Sequence, residues 1–161
     1  EKKVHYAVCV LRAENNSGVS GVVFFTQEEG KEVIVEAEIK GLKEGLHGFH
    51  IHQWGNLING CATAGPHFNP KNKTHGSLNS AERHLGDFGN IIATQEGAKL
   101  SIVAPEITIF GRGENDIVGR SVVVHEREDD LGNGNNEESL KTGNAGPRLA
   151  CGVIGLSGPH Q

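Results

Sequence analysis

Nine of the 161 residues are histidine, and six of them fall with one aspartate in short fragments mostly bracketed by glycine or proline. A neutral imidazole is both a metal ligand and a carrier of protons near neutral pH. His50 and His52 stand two apart in Gly48-Phe49-His50-Ile51-His52. Side chains two apart in a β-strand share a face, so both rings converge on one ion without bending the backbone. His67 follows in Gly65-Pro66-His67-Phe68-Asn69-Pro70, then His75, then His84-Leu85-Gly86-Asp87, and finally His125 in Val122-Val123-Val124-His125-Glu126. Six imidazoles and one carboxylate form a donor set suited to zinc or copper and not to calcium or magnesium. The set exceeds one tetrahedral shell, which implies two ions or some histidines that are not ligands. Zinc has no redox chemistry whereas copper cycles between two valences, so such a pair would join a structural ion to a catalytic one. The spacing leaves open which histidine serves which ion.

The elements that must position these side chains read as strands. Val4–Leu11 places Ala7, Cys9 and Leu11 on one face, and Val19–Thr26 is a second β-rich run. Val33–Lys40 alternates apolar and charged residues from Val35 on, the pattern of a half-buried strand. Leu46–His52 carries the histidine pair, Phe88–Thr94 and Ala98–Ala104 form a hairpin around Gln95-Glu96-Gly97, Gly119–His125 delivers another histidine, and Arg148–Leu156 is the last strand. Ile107–Val118, with its Gly111-Arg112-Gly113-Glu114 turn, is expected to cross one end of the barrel. Two long segments lack periodicity, Gln53–Asp87 and Glu126–Pro147. Loops beyond ~12–15 residues in a compact domain are usually functional or disordered, and the ligand candidates favour function here.

Composition agrees. Glycine makes up 23 residues, about twice the ordinary ~7% share, and aromatics only 5%, which points to an all-β domain with many turns and an aliphatic core. The length suits one domain over residues 1–161, with a core from about 4 to 156. No apolar run approaches the ~20 residues that span a bilayer, and the net charge of -5 without a Lys/Arg-rich block disfavours nucleic acid. Of three cysteines, Cys9, Cys61 and Cys151, two can pair and leave one free; no Cys-x-x-Cys supports a thiolate site. The leading Glu1 and the sequons Asn15-Asn16-Ser17 and Asn72-Lys73-Thr74 tilt expectation towards an extracellular protein whose leader has been removed, over a cytoplasmic one.

The fragments Gly48–His52, Gly65–Pro70, His84-Leu85-Gly86-Asp87-Phe88-Gly89-Asn90 and Gly143-Asn144-Ala145-Gly146-Pro147-Arg148-Leu149-Ala150-Cys151-Gly152-Val153-Ile154-Gly155 resemble the motifs of the Cu/Zn superoxide dismutase family. The similarity runs from about Tyr6 to Leu156. It implies an eight-stranded Greek-key β-barrel with two long functional loops, one copper and one zinc per chain, and dismutation of superoxide to dioxygen and hydrogen peroxide. By matching motif, His50, His52, His67 and His125 would bind copper, and His67, His75, His84 and Asp87 zinc. His67 would thus be shared by both ions and would pass protons to the reduced substrate. Asp129 would hydrogen-bond one histidine of each ion. Arg148 would receive the superoxide anion, while Lys141, Glu137 and Glu138 would shape the field that guides it. Cys61 and Cys151 would form the disulfide, Cys9 would stay a free inward thiol, and His47 would be a structural histidine below the copper.

His5 and His160 have no assigned part. Trp54 and Asn56 depart from the family pattern where it builds a homodimer interface, and Pro147 precedes Arg148 where a small residue is commoner. The resemblance implies a homodimer or higher homo-oligomer. The alternative is a non-enzymatic copper carrier or secreted scaffold on the same fold, which would tend to lose copper ligands or the arginine.

Overall fold

The computed structural model describes residues 2–160; the processing expected at Glu1 and the end of the tail at Gln161 lie outside them. Nine strands form: β1 (Val4–Ala13), β2 (Ser20–Glu28), β3 (Val33–Lys40), β4 (Gly45–His52), β5 (Ile58–Cys61), β6 (Asp87–Thr94), β7 (Gly97–Ala104), β8 (Ser121–His125) and β9 (Arg148–Ser157). Eight of them close an antiparallel barrel in the order β1-β2-β3-β7-β6-β4-β8-β9, the all-β architecture expected. Between β3 and β4 in space lie β7 and β6, and β4 pairs with β8 on its other side, so the connections cross as in a Greek key.

The alternation in β3 explains its place in the wall. Val33, Val35, Ala37 and Ile39 are buried, while Ile34, Glu36, Glu38 and Lys40 face out. Together with Ala7, Cys9, Leu11, Phe25, Phe49 and Ile154 they fill the interior. Each such Leu, Ile or Phe contributes roughly 1.5–3 kcal/mol by leaving water.

β8 reads differently, because all five of its residues are buried. Val122 and Val124 point into the barrel, while Val123 joins a second apolar cluster with Cys61, Ala64 and Cys151 on the outside of the wall. A strand covered on both faces has no reason to alternate. β4 follows the same logic: Phe49 and Ile51 enter the core, and His50 and His52 are buried on the outer face beneath the long loops.

Several boundaries differ from those read in the sequence. The long segment after β4 contains the short strand β5 and a 3₁₀ turn over Ala62–Ala64, too brief to leave a periodic signal. β8 begins at Ser121, two residues after Gly119 takes φ +92°. The β6–β7 hairpin pairs Thr94 with Gly97, leaving only Gln95 and Glu96 in its turn. Residues 105–120 do close one barrel end: Thr108 bridges Asp116, and buried Ile107, Ile109 and Ile117 join the core. Gln27 fastens that closure, its Oε1 accepting from Thr108 Oγ1 and Ile109 N, each at 2.9 Å. Among the described residues no helix is long and apolar enough to cross a membrane.

Candidate metal centre

Strand register brings the histidines together. β4 sets His50 opposite Val123 of β8 and His52 opposite Ser121, so His125, two residues beyond Val123, shares their outer face. On the other side of β4, Asp87 is the partner of His50, and an isolated bridge sets His67 against His52. The residues of both long loops then drape over this patch.

Four of the rings are oriented by a bond on the side away from the centre. His52 Nδ1 donates to Gly65 O at 2.8 Å and His125 Nδ1 to Gly146 O at 3.0 Å, which turns their Nε2 atoms towards each other at 3.3 Å. His50 Nε2 lies 2.6 Å from Asp129 Oδ2 and His75 Nε2 2.7 Å from Asp129 Oδ1, so one buried carboxylate fixes two rings. Asp129 is itself clamped: Asn90 Oδ1 accepts from its N–H at 2.7 Å and Asn90 Nδ2 donates to its carbonyl at 2.9 Å. Gly143, at φ +74°, passes so close that a Cβ there would run into Asp129 Oδ1 and His75 Nε2.

Around Asp87 a second centre forms. Its Oδ2 accepts from His84 N at 2.8 Å and Gly76 N at 3.1 Å, leaving Oδ1 to face three ring nitrogens. His67 Nδ1 is 3.0 Å from it, His75 Nδ1 2.9 Å and His84 Nδ1 3.3 Å, with His67 and His84 Nδ1 3.2 Å apart. A tetrahedral zinc with bonds near 2.0–2.1 Å would hold its ligand atoms at about 3.3 Å from one another, so these contacts match one shell.

Two sets of donors converge to within 4.8 Å: His50, His52, His67 and His125, and His50, His67, His75 and Asp87. His84 stands beside the second set, its Nδ1 3.3 Å from Asp87 Oδ1, while His50 spends Nε2 on Asp129. The buried Nδ1 atoms of His50 and His75 have no hydrogen-bond partner. His75 Nδ1 is close to Asp87 without hydrogen-bond geometry, as expected of a nitrogen aimed at an ion beside the carboxylate. Orphaned buried nitrogens cost about 1–3 kcal/mol each unless something fills the gap, and a cation at each centre would.

The electrostatics prepare the donors. Burial, reinforced by neighbouring histidines, holds His50 and His52 well below the ordinary imidazole range and His125 at about 3, so their lone pairs are free at neutral pH. Burial also lowers His67 against the pull of Asp87. For His75 burial is outweighed by Asp129 and Asp87, which carry it up to about 9. Burial would raise Asp87, yet hydrogen bonds with His67, His75 and His84 leave it well below the usual carboxylate range.

Sequence comparison accords with this geometry. Residues 19–154 match the model of the family described as copper/zinc superoxide dismutase. The chain belongs to the copper/zinc superoxide dismutase family. It is 55% identical over 150 residues to Cu-Zn superoxide dismutase A of Xenopus laevis, covering 93% of this chain and 97% of that one. It is 50% identical over 153 residues to Cu-Zn superoxide dismutase 5 of Dictyostelium discoideum, covering 94% and 97%. A Cu-Zn superoxide dismutase of Onchocerca volvulus is 52% identical over 155 residues, covering 93% and 95%. In this family the two donor groups fit a copper and a zinc ion.

A cavity of about 1000 Å³ opens over the centre, its floor lined by His52, His67, His84 and His125. Arg148 reaches into it, held by Nη1 to Cys61 O at 2.7 Å and Nη2 to Gly65 O at 2.8 Å. Cys61 is joined to Cys151 by a disulfide, while Cys9 is free and buried, its thiol pushed up to about 12 by burial. The other charges on the cavity wall are Lys73, Arg127 and Lys141 against the carboxylate of Glu138. Glu137 stands outside it, paired with Lys141 Nζ at 3.0 Å.

Lys73, Arg127 and the carbonyls of Gly65 and Gly146 were not singled out from the sequence. For the two cations the available signal was nearness in the chain to His75 and His125; for the carbonyls there was none. His47 sits under the site, its Nδ1 2.9 Å from His125 O, and coordinates nothing in either group. His5 stacks on Phe110 and lies 2.6 Å from Glu29, and His160 Nε2 donates to Phe25 O at 3.0 Å, both away from the centre.

Proposed function

We propose that this chain dismutates superoxide, with His50, His52, His67 and His125 holding copper and His67, His75, His84 and Asp87 holding zinc. The observation that carries the reading is His67, common to both convergent groups and open to the cavity that Arg148 enters. Copper held by His50, His52, His67 and His125 would supply one-electron redox chemistry, and zinc held by His67, His75, His84 and Asp87 would be a structural ion. Over one cycle two superoxide anions and two protons become dioxygen and hydrogen peroxide. Arg148 binds the anion through a planar guanidinium whose aim is set by two backbone carbonyls. His67 turns Nδ1 towards Asp87, the side where zinc would be held, and is left to move a proton at Nε2. Asp129 holds His50 and His75 in the tautomers that present Nδ1. Lys73, Arg127 and Lys141 give the cavity a local positive field despite the net charge of -5, so an anion is drawn where the whole protein would repel it. Glu137 and Glu138 temper that field, Glu137 through Lys141 and Glu138 from the wall itself.

The chain acts as one domain, since its first and last strands, β1 and β9, close the barrel against each other. It pairs as a homodimer through an apolar patch around Trp54, Ile58 and Val153, which are 52%, 81% and 43% exposed. A Cβ at Gly55 would stand 3.3 Å from Val153 Cγ1, so the chain next to Trp54 runs beside Val153.

Metal analysis joined to a dismutation assay tests the reading. Copper and zinc near one each per chain, with fast superoxide consumption abolished in His125→Ala, is the expected result. Full loading with no dismutation would overturn it and favour a carrier.

A further inference from the structure

The two sequons have different surroundings. At Asn15-Asn16-Ser17 the hydroxyl is already used: Ser17 Oγ donates to Leu149 O at 2.6 Å, accepts from Val19 N at 3.2 Å, and is half-buried. At Asn72-Lys73-Thr74 both the acceptor amide and the threonine are exposed, and among the described residues no hydrogen bond ties either side chain. The turn beneath is firmly built. Asn69 Oδ1 accepts from Lys73 N at 3.0 Å, and Asn69 Nδ2 donates to Lys73 O at 2.9 Å. Asn72 N reaches Asn69 O at 3.4 Å, and Asn72 takes φ +54° at the tip. This pinned turn presents the exposed Asn72 side chain beside the metal cavity, which it helps to line.

We infer that Asn72 is a site of N-linked glycosylation, and that Asn15 is not. The substrate class is a lipid-diphosphate-linked oligosaccharide delivered by a membrane transferase. Asn72 Nδ2 bonds to the anomeric carbon, the bond from that carbon to the diphosphate oxygen breaks, one amide proton is released, and the lipid diphosphate leaves. No oxidant is needed. Thr74 supplies the hydroxyl that such acceptor sequences require, and it is free to do so. A bulky, solvated glycan can be attached here because both Asn72 and Thr74 are exposed to solvent.

The test uses protein purified from its natural source. Its proteolytic peptides are stripped of glycan with peptide-N-glycosidase in heavy-oxygen water, which leaves an isotopically marked aspartate wherever a glycan stood. The expected result is a mark at position 72 and none at position 15. Secretory expression gives the second arm: Asn72→Gln and Thr74→Ala each lose the glycan, while Thr74→Ser and Asn15→Gln keep it. An unmarked position 72 in the natural protein overturns the inference, as does a mark at position 15 or a glycan that survives Asn72→Gln.

Discussion

Replacing Asp129 by asparagine probes the link between the two centres. The carboxylate accepts on both oxygens, with Oδ2 2.6 Å from His50 Nε2 and Oδ1 2.7 Å from His75 Nε2. Asparagine keeps one acceptor and turns the other position into a donor. Leu131 N donates to Oδ1 at 2.8 Å, so the amide oxygen stays on the His75 side and the NH₂ faces His50. Against that donor His50 must give up its Nε2 proton and move it to Nδ1, the nitrogen needed by the metal. Losing such a buried orienting partner costs about 10–100-fold in metal affinity, or about 1.4–2.8 kcal/mol. The asymmetry is the specific prediction: copper affinity at the His50 centre falls by that factor, and zinc affinity at the His75 centre falls less. Competition titrations with chelators, run for each ion separately, read both. A zinc affinity that collapses while copper binding is untouched would refute the argument from tautomers.

Other expectations follow from the same geometry. Arg148→Lys keeps the charge but cannot donate to Cys61 O and Gly65 O in one planar fork. Its kcat/KM should fall by roughly tenfold, the low end of the steering range for which this enzyme family is itself a standard example, with metal content unchanged. An undiminished rate would remove Arg148 from the anion's path. Opening the Cys61–Cys151 disulfide frees a loop closed over 90 residues. The chain-entropy model sets its contribution at roughly 4–5 kcal/mol, so calorimetry of the Cys61→Ser, Cys151→Ser protein should show a Tm lower by about 10 °C or more; a change of a degree or two would contradict it. In the metal-free protein His75, raised to about 9, adds stability that is complete below about pH 6.5 and is lost as pH rises through 9. His125, lowered to about 3, acts in the opposite sense: its contribution is complete above about pH 6.5 and is lost as pH falls through 3. Denaturant midpoints of the metal-free chain should therefore peak near neutral pH, and a steady rise through pH 9 would contradict the assignment for His75.

The sequence by itself determined the chemistry available and the local geometry of each strand. Donor types restricted the ions, His-x-His spacing put His50 and His52 on one face, and the alternation in Val33–Lys40 marked its inward side. Those are short-range facts, set by the two-residue repeat of an extended chain. Where both faces are covered, as in Ser121–His125, the repeat vanishes and the pattern tells only of burial. Brief elements such as Ile58–Cys61 leave no signal at all. Tertiary structure alone decided which donors meet: barrel closure set Asp87 opposite His50 and His67 opposite His52, and brought Asp129 between His50 and His75. It also singled out the carbonyls of Gly65 and Gly146 as the groups that aim His52 and His125. Register between strands distant in the chain is fixed by how the whole wall packs around its core, and no spacing within one segment encodes that.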